Sequence, residues 1–332
     1  MVQKLSPSYQ PRRSSETTLY AVLREHLDRF VQTVEAADHS LPSFVLKELA
    51  GFLRCGQLAY GFVRQACSSC TFERLVGFSC SGRGFCPSCL GRRMVEGAAR
   101  LVDSILPHAP YRQYVLTLPK PLRFAIAYNP TLCSRIISIF VNEVFRWQKK
   151  KAKLEFDLDS VAHAHCGAAT AIHRSSSALS LNIHFHSAVM DGVFVLDQVT
   201  DTLRFRALAP PTRDDLHDIT CRIYARTRKL CIALGCDWEE PESIDNTFEE
   251  DEPLLAGCAQ SSMRGTALLG DHAGQSLLPF ARPALHIPAD LRQRLACGGF
   301  DLHAARRVRA DDRKGLDQLC SYFASCAHGL PP

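Results

Sequence analysis

His184 and His186 are separated by one residue, and they end a run of strict alternation. Leu179, Leu181, Ile183 and Phe185 are apolar, whereas Ser180, Asn182, His184 and His186 are polar. On a strand this pattern puts both imidazoles on one face and the apolar set on the other. Same-face neighbours lie ~7 Å apart at the backbone, so the two rings can converge on one divalent ion. Thiols supply a second constellation. Cys67-x2-Cys70 and Cys86-x2-Cys89 are separated by fifteen residues, the spacing of a four-thiolate zinc site in which each Cys-x-x-Cys turn presents two sulfurs. A closed site of that kind has no open position for substrate, so its expected role is structural. Cys55 and Cys80 lie nearby and read as core thiols, or as a replacement for one of the four ligands.

The elements that must position these groups follow from periodicity. Thr17 to Val34 and Leu46 to Leu53 have helical apolar spacing, and Gly91 to Leu106 reads as a further helix closed by Pro107. Gln113 to Leu118 predicts a strand ended by Pro119, and Leu132 to Lys153 a long helix whose last turns are strongly basic. Ala168 to Ile172 and Leu179 to Met190 predict strands, and Asp191-Gly192 signals a hairpin returning through Val193 to Leu196. A helix is expected from about Asp214 to Leu234, an acidic linker or insertion over 237–262, and a short helix over Leu285 to Leu295. A strand within Asp301 to Val308 and a final helix over Arg313 to Phe323 complete the reading.

Composition narrows the class. The chain has 332 residues, 46% hydrophobic and 22% charged, as expected of a globular protein with two domains. No run approaches 18 consecutive apolar residues and the first thirty residues lack an apolar targeting segment, so a membrane protein is not expected. Fifteen cysteines without such a segment point to a reducing compartment, the cytoplasm, where clustered thiols bind metal. The net charge of +5 conceals an asymmetry: residues 1–155 carry 22 Lys and Arg against 11 Asp and Glu, and the remainder 17 against 23. A half-chain that basic suits a polyanion such as nucleic acid, and Arg54, Arg64, Arg74, Arg83, Arg92 and Arg93 surround the cysteines.

Several segments together carry a family resemblance. They are Phe52-Leu53-Arg54-Cys55-Gly56, Phe78 to Cys89 with Arg92-Arg93, Arg112 to Pro119, Leu179 to His186 with Asp191-Gly192-Val193-Phe194, Gly299 to Ala304, and Leu319-Cys320-Ser321-Tyr322. With them the chain resembles the HUH-type transposases of rolling-circle insertion sequences, the insertion-sequence ninety-one family. The resemblance implies an α+β protein: a helical zinc-binding, DNA-contacting module over 1–105, then an antiparallel-sheet HUH nuclease domain with flanking helices over 106–332. It also implies that His184 and His186 hold Mg2+ or Mn2+, that a tyrosine attacks a phosphodiester, and that the partner is single-stranded or hairpin DNA at the ends of a mobile element.

Of the eight tyrosines, Tyr224 and Tyr322 follow the histidine strand, as the family order requires. Tyr224 sits on the apolar stripe of its helix and reads as a packing residue, whereas Tyr322 fits the family's catalytic position. The two-tyrosine branch has a partner four residues earlier, where this chain has Gln318. The chain also departs from the family in Ser321-Tyr322-Phe323-Ala324, which lacks flanking arginines, and in His173-Arg174-Ser175-Ser176 where a Gln-Arg-Phe-Gly is usual. His173 is a candidate third ligand, or else an exposed strand-end histidine. Family members continue beyond the tyrosine, so a C-terminally truncated copy is expected. Two other functions fit the residues: a catalytically inactive DNA-binding remnant, and a metal-dependent hydrolase in which the histidines activate water.

Overall fold

Thr17 accepts a hydrogen bond from the Tyr20 backbone N–H and starts α1 (Thr18–Ala36); Pro42 precedes α2 (Ser43–Arg54). Leu19, Tyr20 and Leu23 of α1 meet Phe52 and Leu53 of α2, the apolar stripes read from the sequence. These helices open the computed structural model, which describes residues 13–81, 86–175, 181–197, 200–236, 238, 253–264, 266–276 and 297–324. Most of the acidic run, the expected helix Leu285 to Leu295, Leu179-Ser180 and the last eight residues lie outside them.

The chain divides into two compact units, residues 1–93 and 94–332. In the first, α2 is followed by an antiparallel ribbon of β1 (Phe62–Ala66) and β2 (Glu73–Gly77), in register from Phe62↔Gly77 to Ala66↔Glu73. After the ribbon comes α3 (Pro87–Arg100), which runs on into a π-helical turn, Leu101–Ile105. Ala98, Val102 and Leu106 at the end of this helical stretch belong to a core of the second unit.

That second unit contains β3 (Tyr111–Thr117), α4 (Lys120–Ala127), α5 (Pro130–Glu155), β4 (Ala164–His165), β5 (Ala168–Ser175), β6 (Leu181–Met190), β7 (Gly192–Asp197), β8 (Thr202–Ala207), α6 (Arg213–Ala233), α7 (Pro253–Arg264), β9 (Asp301–His303), β10 (Arg307–Val308) and α8 (Arg313–Ala324). The architecture is α+β, as the sequence predicts. β6 is central in the main sheet, antiparallel to β3 on one side and β5 on the other, and β9 and β10 both pair with the far edge of β3. One face is the core: Leu116, Phe185 and Leu302 pack with Leu122, Ile136, Phe140 and Ile223 of the helices. On the opposite face, Tyr111, Ala171, Ala188 and Met190 meet Leu316, Leu319 and Phe323 of α8.

Asp191-Gly192 does not make the expected hairpin. Both edges of β6 are already paired, so β7 leaves the main sheet and forms a second one with β4 and β8. Gly192 is needed for close approach: a Cβ there would lie 2.3 Å from the Arg206 carbonyl oxygen. Asp191 instead closes a buried ion cluster. Its Oδ1 and Oδ2 accept from Arg112 Nε and Nη2 at 2.8 and 3.0 Å, and Arg307 Nε donates to Oδ2 at 2.7 Å. Arg112 also donates to the Ala304 carbonyl at 3.0 Å, so this carboxylate ties β3, β10 and the end of β6 together. Asp191→Ala leaves the Arg112 guanidinium buried without its counter-ion, and we expect a loss of about 3–5 kcal/mol in urea unfolding. A loss below about 1 kcal/mol would show that water compensates Arg112.

Candidate functional site

Among the described residues, two clusters have metal-ligating geometry. In the first, the sulfurs of Cys55, Cys80, Cys86 and Cys89 lie within 4.8 Å of one another. Cys55 follows the last residue of α2, Cys80 follows β2, and Cys86-Pro87-Ser88-Cys89 forms the first turn of α3. The pairs Cys55–Cys89, Cys80–Cys89 and Cys55–Cys86 are 3.6, 3.5 and 3.6 Å apart. A tetrahedral ion with bonds of about 2.3 Å needs sulfur edges near 3.8 Å, so the cluster fits zinc. Burial, opposed by a hydrogen bond from the Cys89 backbone and reinforced by the neighbouring Cys55, pushes the Cys86 thiol up to about 11; a bound cation reverses that preference and deprotonates coordinating thiols.

The structure thus brings the expected ligands Cys86 and Cys89 together with Cys55 and Cys80, not with Cys67 and Cys70. The reason is the ribbon. Cys67 and Cys70 lie in its turn, both exposed, with Cys67 N–H bonded to the Phe72 carbonyl. Four strand steps, about 13 Å, separate that tip from the base, where Cys55 and Cys80 sit. Hydrogen bonds from Ser69, and then from Cys70, lower the Cys67 thiol to about 7.

The second cluster joins His184 and His186 of β6 to His173 of β5, with ligand nitrogens again within 4.8 Å of one another. Register explains it. Residues paired directly across antiparallel strands share a face, which makes two rows across four strands: Asp301, Thr117, His184 and His173 in one, His303, Val115, His186 and Ala171 in the next. His173 is 2% exposed, so it is a buried member of the site rather than a strand-end surface histidine.

His184 Nδ1 donates to the Asn182 carbonyl at 2.6 Å, which leaves Nε2 as its ligand atom. The Nε2 atoms of His173 and His186 are buried with no hydrogen-bond partner among the described residues, a cost that a cation removes. Burial, followed by the neighbouring imidazoles, lowers His173 to about 4 and His186 to about 3, and burial also lowers His184. At neutral pH all three are therefore uncharged, the ligating form.

Gln113, on the same face of β3, places its amide nitrogen Nε2 2.8 Å from His186 Nδ1, an arrangement that a metal on His186 Nε2 would reverse by turning the amide over. With His186 Nε2 on a metal, Nδ1 carries the hydrogen, and Gln113 must present its amide oxygen. Gln113→Leu should weaken Mn2+ binding about 10- to 100-fold in a titration; unchanged affinity would exclude this orienting role.

Tyr322 completes the group. α8 buries Leu316, Leu319, Cys320 and Phe323 at helical spacing, and Tyr322 sits at the margin of that stripe, 46% exposed. Its ring centroid is 4.8 Å from that of His173 and 5.2 Å from that of His186. Tyr224 is elsewhere, edge-on to Trp238 and Phe300 in the core. The sequence reading missed Arg123 because it did not anticipate α4. Arg123 donates to the Leu118 carbonyl at 2.7 Å, and its charge bears on the His184 ring. The face therefore combines three neutral imidazoles and a phenol, a set able to hold a divalent ion beside an oxygen nucleophile.

Residues 22–118 match the family model of the transposase zinc-binding domain. No curated protein and no solved structure matches the chain.

Proposed function

From a chain that carries a transposase zinc-binding domain, we propose a DNA transposase of the rolling-circle insertion-sequence type, which cleaves and rejoins single-stranded or hairpin DNA through a covalent link to Tyr322. The carrying observation is the Tyr322 ring packed against His173 and His186, tilted to the first and edge-on to the second. His173, His184 and His186 would hold the ion. When bound, a divalent cation polarises a phosphoryl oxygen and offsets charge in the in-line transition state. Three imidazoles without a carboxylate suit Mn2+ better than the oxygen-seeking Mg2+.

The chain's own residues do the rest. Tyr322 Oη attacks phosphorus, and the bond to a 3′-oxygen breaks. Arg123, whose charge bears on the His184 imidazole, would add positive potential at the phosphate. The phosphotyrosine link conserves the energy of the broken bond, so a 3′-hydroxyl can later displace Tyr322 without a nucleotide cofactor. The basic first part of the chain, with Arg54, Arg64, Arg74, Arg92 and Arg93 near the cysteine cluster, supports contacts with the phosphate backbone.

The test is covalent trapping. Labelled single-stranded and hairpin oligonucleotides incubated with the chain and Mn2+ should give an adduct that survives denaturation, disappears with chelator and maps to Tyr322 by peptide mass. An adduct on another residue, or none with any substrate, overturns the proposal.

A further inference from the structure

The two rows that carry the histidine cluster end, on the far side of β3, in a second pair of ionisable groups. Asp301 is in register with Thr117 and hence with His184, and His303 with Val115 and hence with His186. Leu302 between them points into the core, so Asp301 and His303 stand on the histidine face. His303 Nε2 donates to Asp301 Oδ2 at 2.9 Å, while Asp301 Oδ1 is buried with no hydrogen-bond partner among the described residues. With two strand spacings between them, about 10 Å separates the His303 and His186 backbones. The floor of that gap is Thr117 and Val115, both half-buried.

Direction then assigns a role. Tyr322 approaches over His173 and His186, the β5–β6 end of the rows. In an in-line displacement the attacking and leaving oxygens are on opposite sides of phosphorus, so the leaving oxygen points toward β3 and β9. Resting on the strand-transfer reading above, we propose that His303, oriented by Asp301, is the general acid that protonates the leaving 3′-oxygen during cleavage and the general base that activates it during joining.

The step balances. The Oη–P bond forms and the P–O3′ bond breaks; the phenolic proton leaves to water, and the His303 nitrogen not bonded to Asp301 gives its proton to O3′. In joining, that nitrogen takes the proton back as O3′–P forms and Oη–P breaks, and Tyr322 recovers a proton from water.

A substrate whose leaving group needs no proton separates this role from the others. The oligonucleotide nicked by the wild-type chain is prepared with a 3′-bridging sulfur at the nick, because a thiolate leaves unprotonated. His303→Ala should slow single-turnover cleavage of the oxygen substrate 10²–10⁴-fold, and should cleave the sulfur substrate within about tenfold of wild type. His303→Gln, which can still donate to Asp301, should show the same contrast with a wild-type melting curve. Equal cleavage of the oxygen substrate by His303→Ala and wild type overturns the proposal. So does equal slowing on both substrates, which would make His303 a positioning residue. If the wild-type chain forms no adduct, the strand-transfer reading fails first and takes this one with it. If it forms an adduct and the sulfur substrate rescues nothing, only the acid–base assignment fails.

Discussion

Serine at Cys55 or at Cys86 should release the zinc and unfold the first unit, whereas serine at Cys67 or Cys70 should leave both ion and fold in place. The expected difference is large because the described residues of that unit bury little else. Among the described residues its buried apolar side chains are Val34, Phe52, Cys55, Cys86 and Cys89, and three of these five are ligands of the proposed ion. A core that small does not offset the chain entropy of folding. Structural zinc contributes roughly 10–16 kcal/mol in small domains, comparable with or above the whole stability of an ordinary one. Metal content by atomic emission, together with proteolysis of the first unit, checks this. One zinc equivalent lost from Cys67→Ser and retained in Cys55→Ser would transfer the site to the ribbon tip. The same comparison bears on DNA contact, since Arg54, Arg92 and Arg93 are on α2 and α3, the helices that end and begin at the cluster.

The contrast between the two metal clusters explains what the amino-acid order discloses. His184 and His186 are legible because a strand's face depends only on local alternation, and Ile183 and Phe185 supply the counter-phase. The partner His173 is eleven positions away, on β5, and becomes a neighbour only through the pairing His173↔His184. Its spacing carries no signal. Cysteine spacing misleads for the related reason that two turns of the right length are matched without regard to the chain between them. Five-residue strands on either side of the Cys67 turn carry that turn away from Cys86 and Cys89. Asp191-Gly192 is the same kind of case, a local hairpin signal overruled because β6 has no free edge. Long periodic helices such as α1, α5 and α6 are read within a few residues of their ends. The short helix α4, with Pro121 in its first turn, and the ribbon β1–β2, whose residues are mostly exposed, have no strong apolar period and escape notice. Asp301 and His303 are visible as residues, but their membership of the histidine face needs the register of β9 on β3.

Tyr322→Phe should abolish the denaturation-resistant DNA adduct while leaving Mn2+ affinity and the melting curve unchanged. Removal of one oxygen from a half-exposed ring creates no cavity and takes no ligand from the ion, so stability should shift by less than about 0.5 kcal/mol. The chemical effect is absolute, because phenylalanine has no atom to bond to phosphorus. His184→Ala reaches the same endpoint by another route: it removes one of three imidazoles, weakens Mn2+ binding, and leaves the Tyr322 hydroxyl without a polarised ester to attack. Run side by side, the two variants divide the functions that fit this chain. Loss of adduct in both, with Mn2+ affinity lost only in His184→Ala, is the strand-transferase pattern. If Tyr322→Phe still cuts DNA at wild-type rate and His184→Ala does not, water is the nucleophile and the chain is a metal-dependent hydrolase. DNA binding with no cleavage by the wild-type chain, at any Mn2+ concentration, identifies a remnant that keeps the zinc unit and its arginines but has lost the chemistry. The Ser321-Tyr322-Phe323 context, without flanking arginines, makes that outcome the sharpest challenge to an active enzyme. Without arginines beside the phenol, a phosphate there would depend on the ion and on the charge of Arg123, which bears on His184.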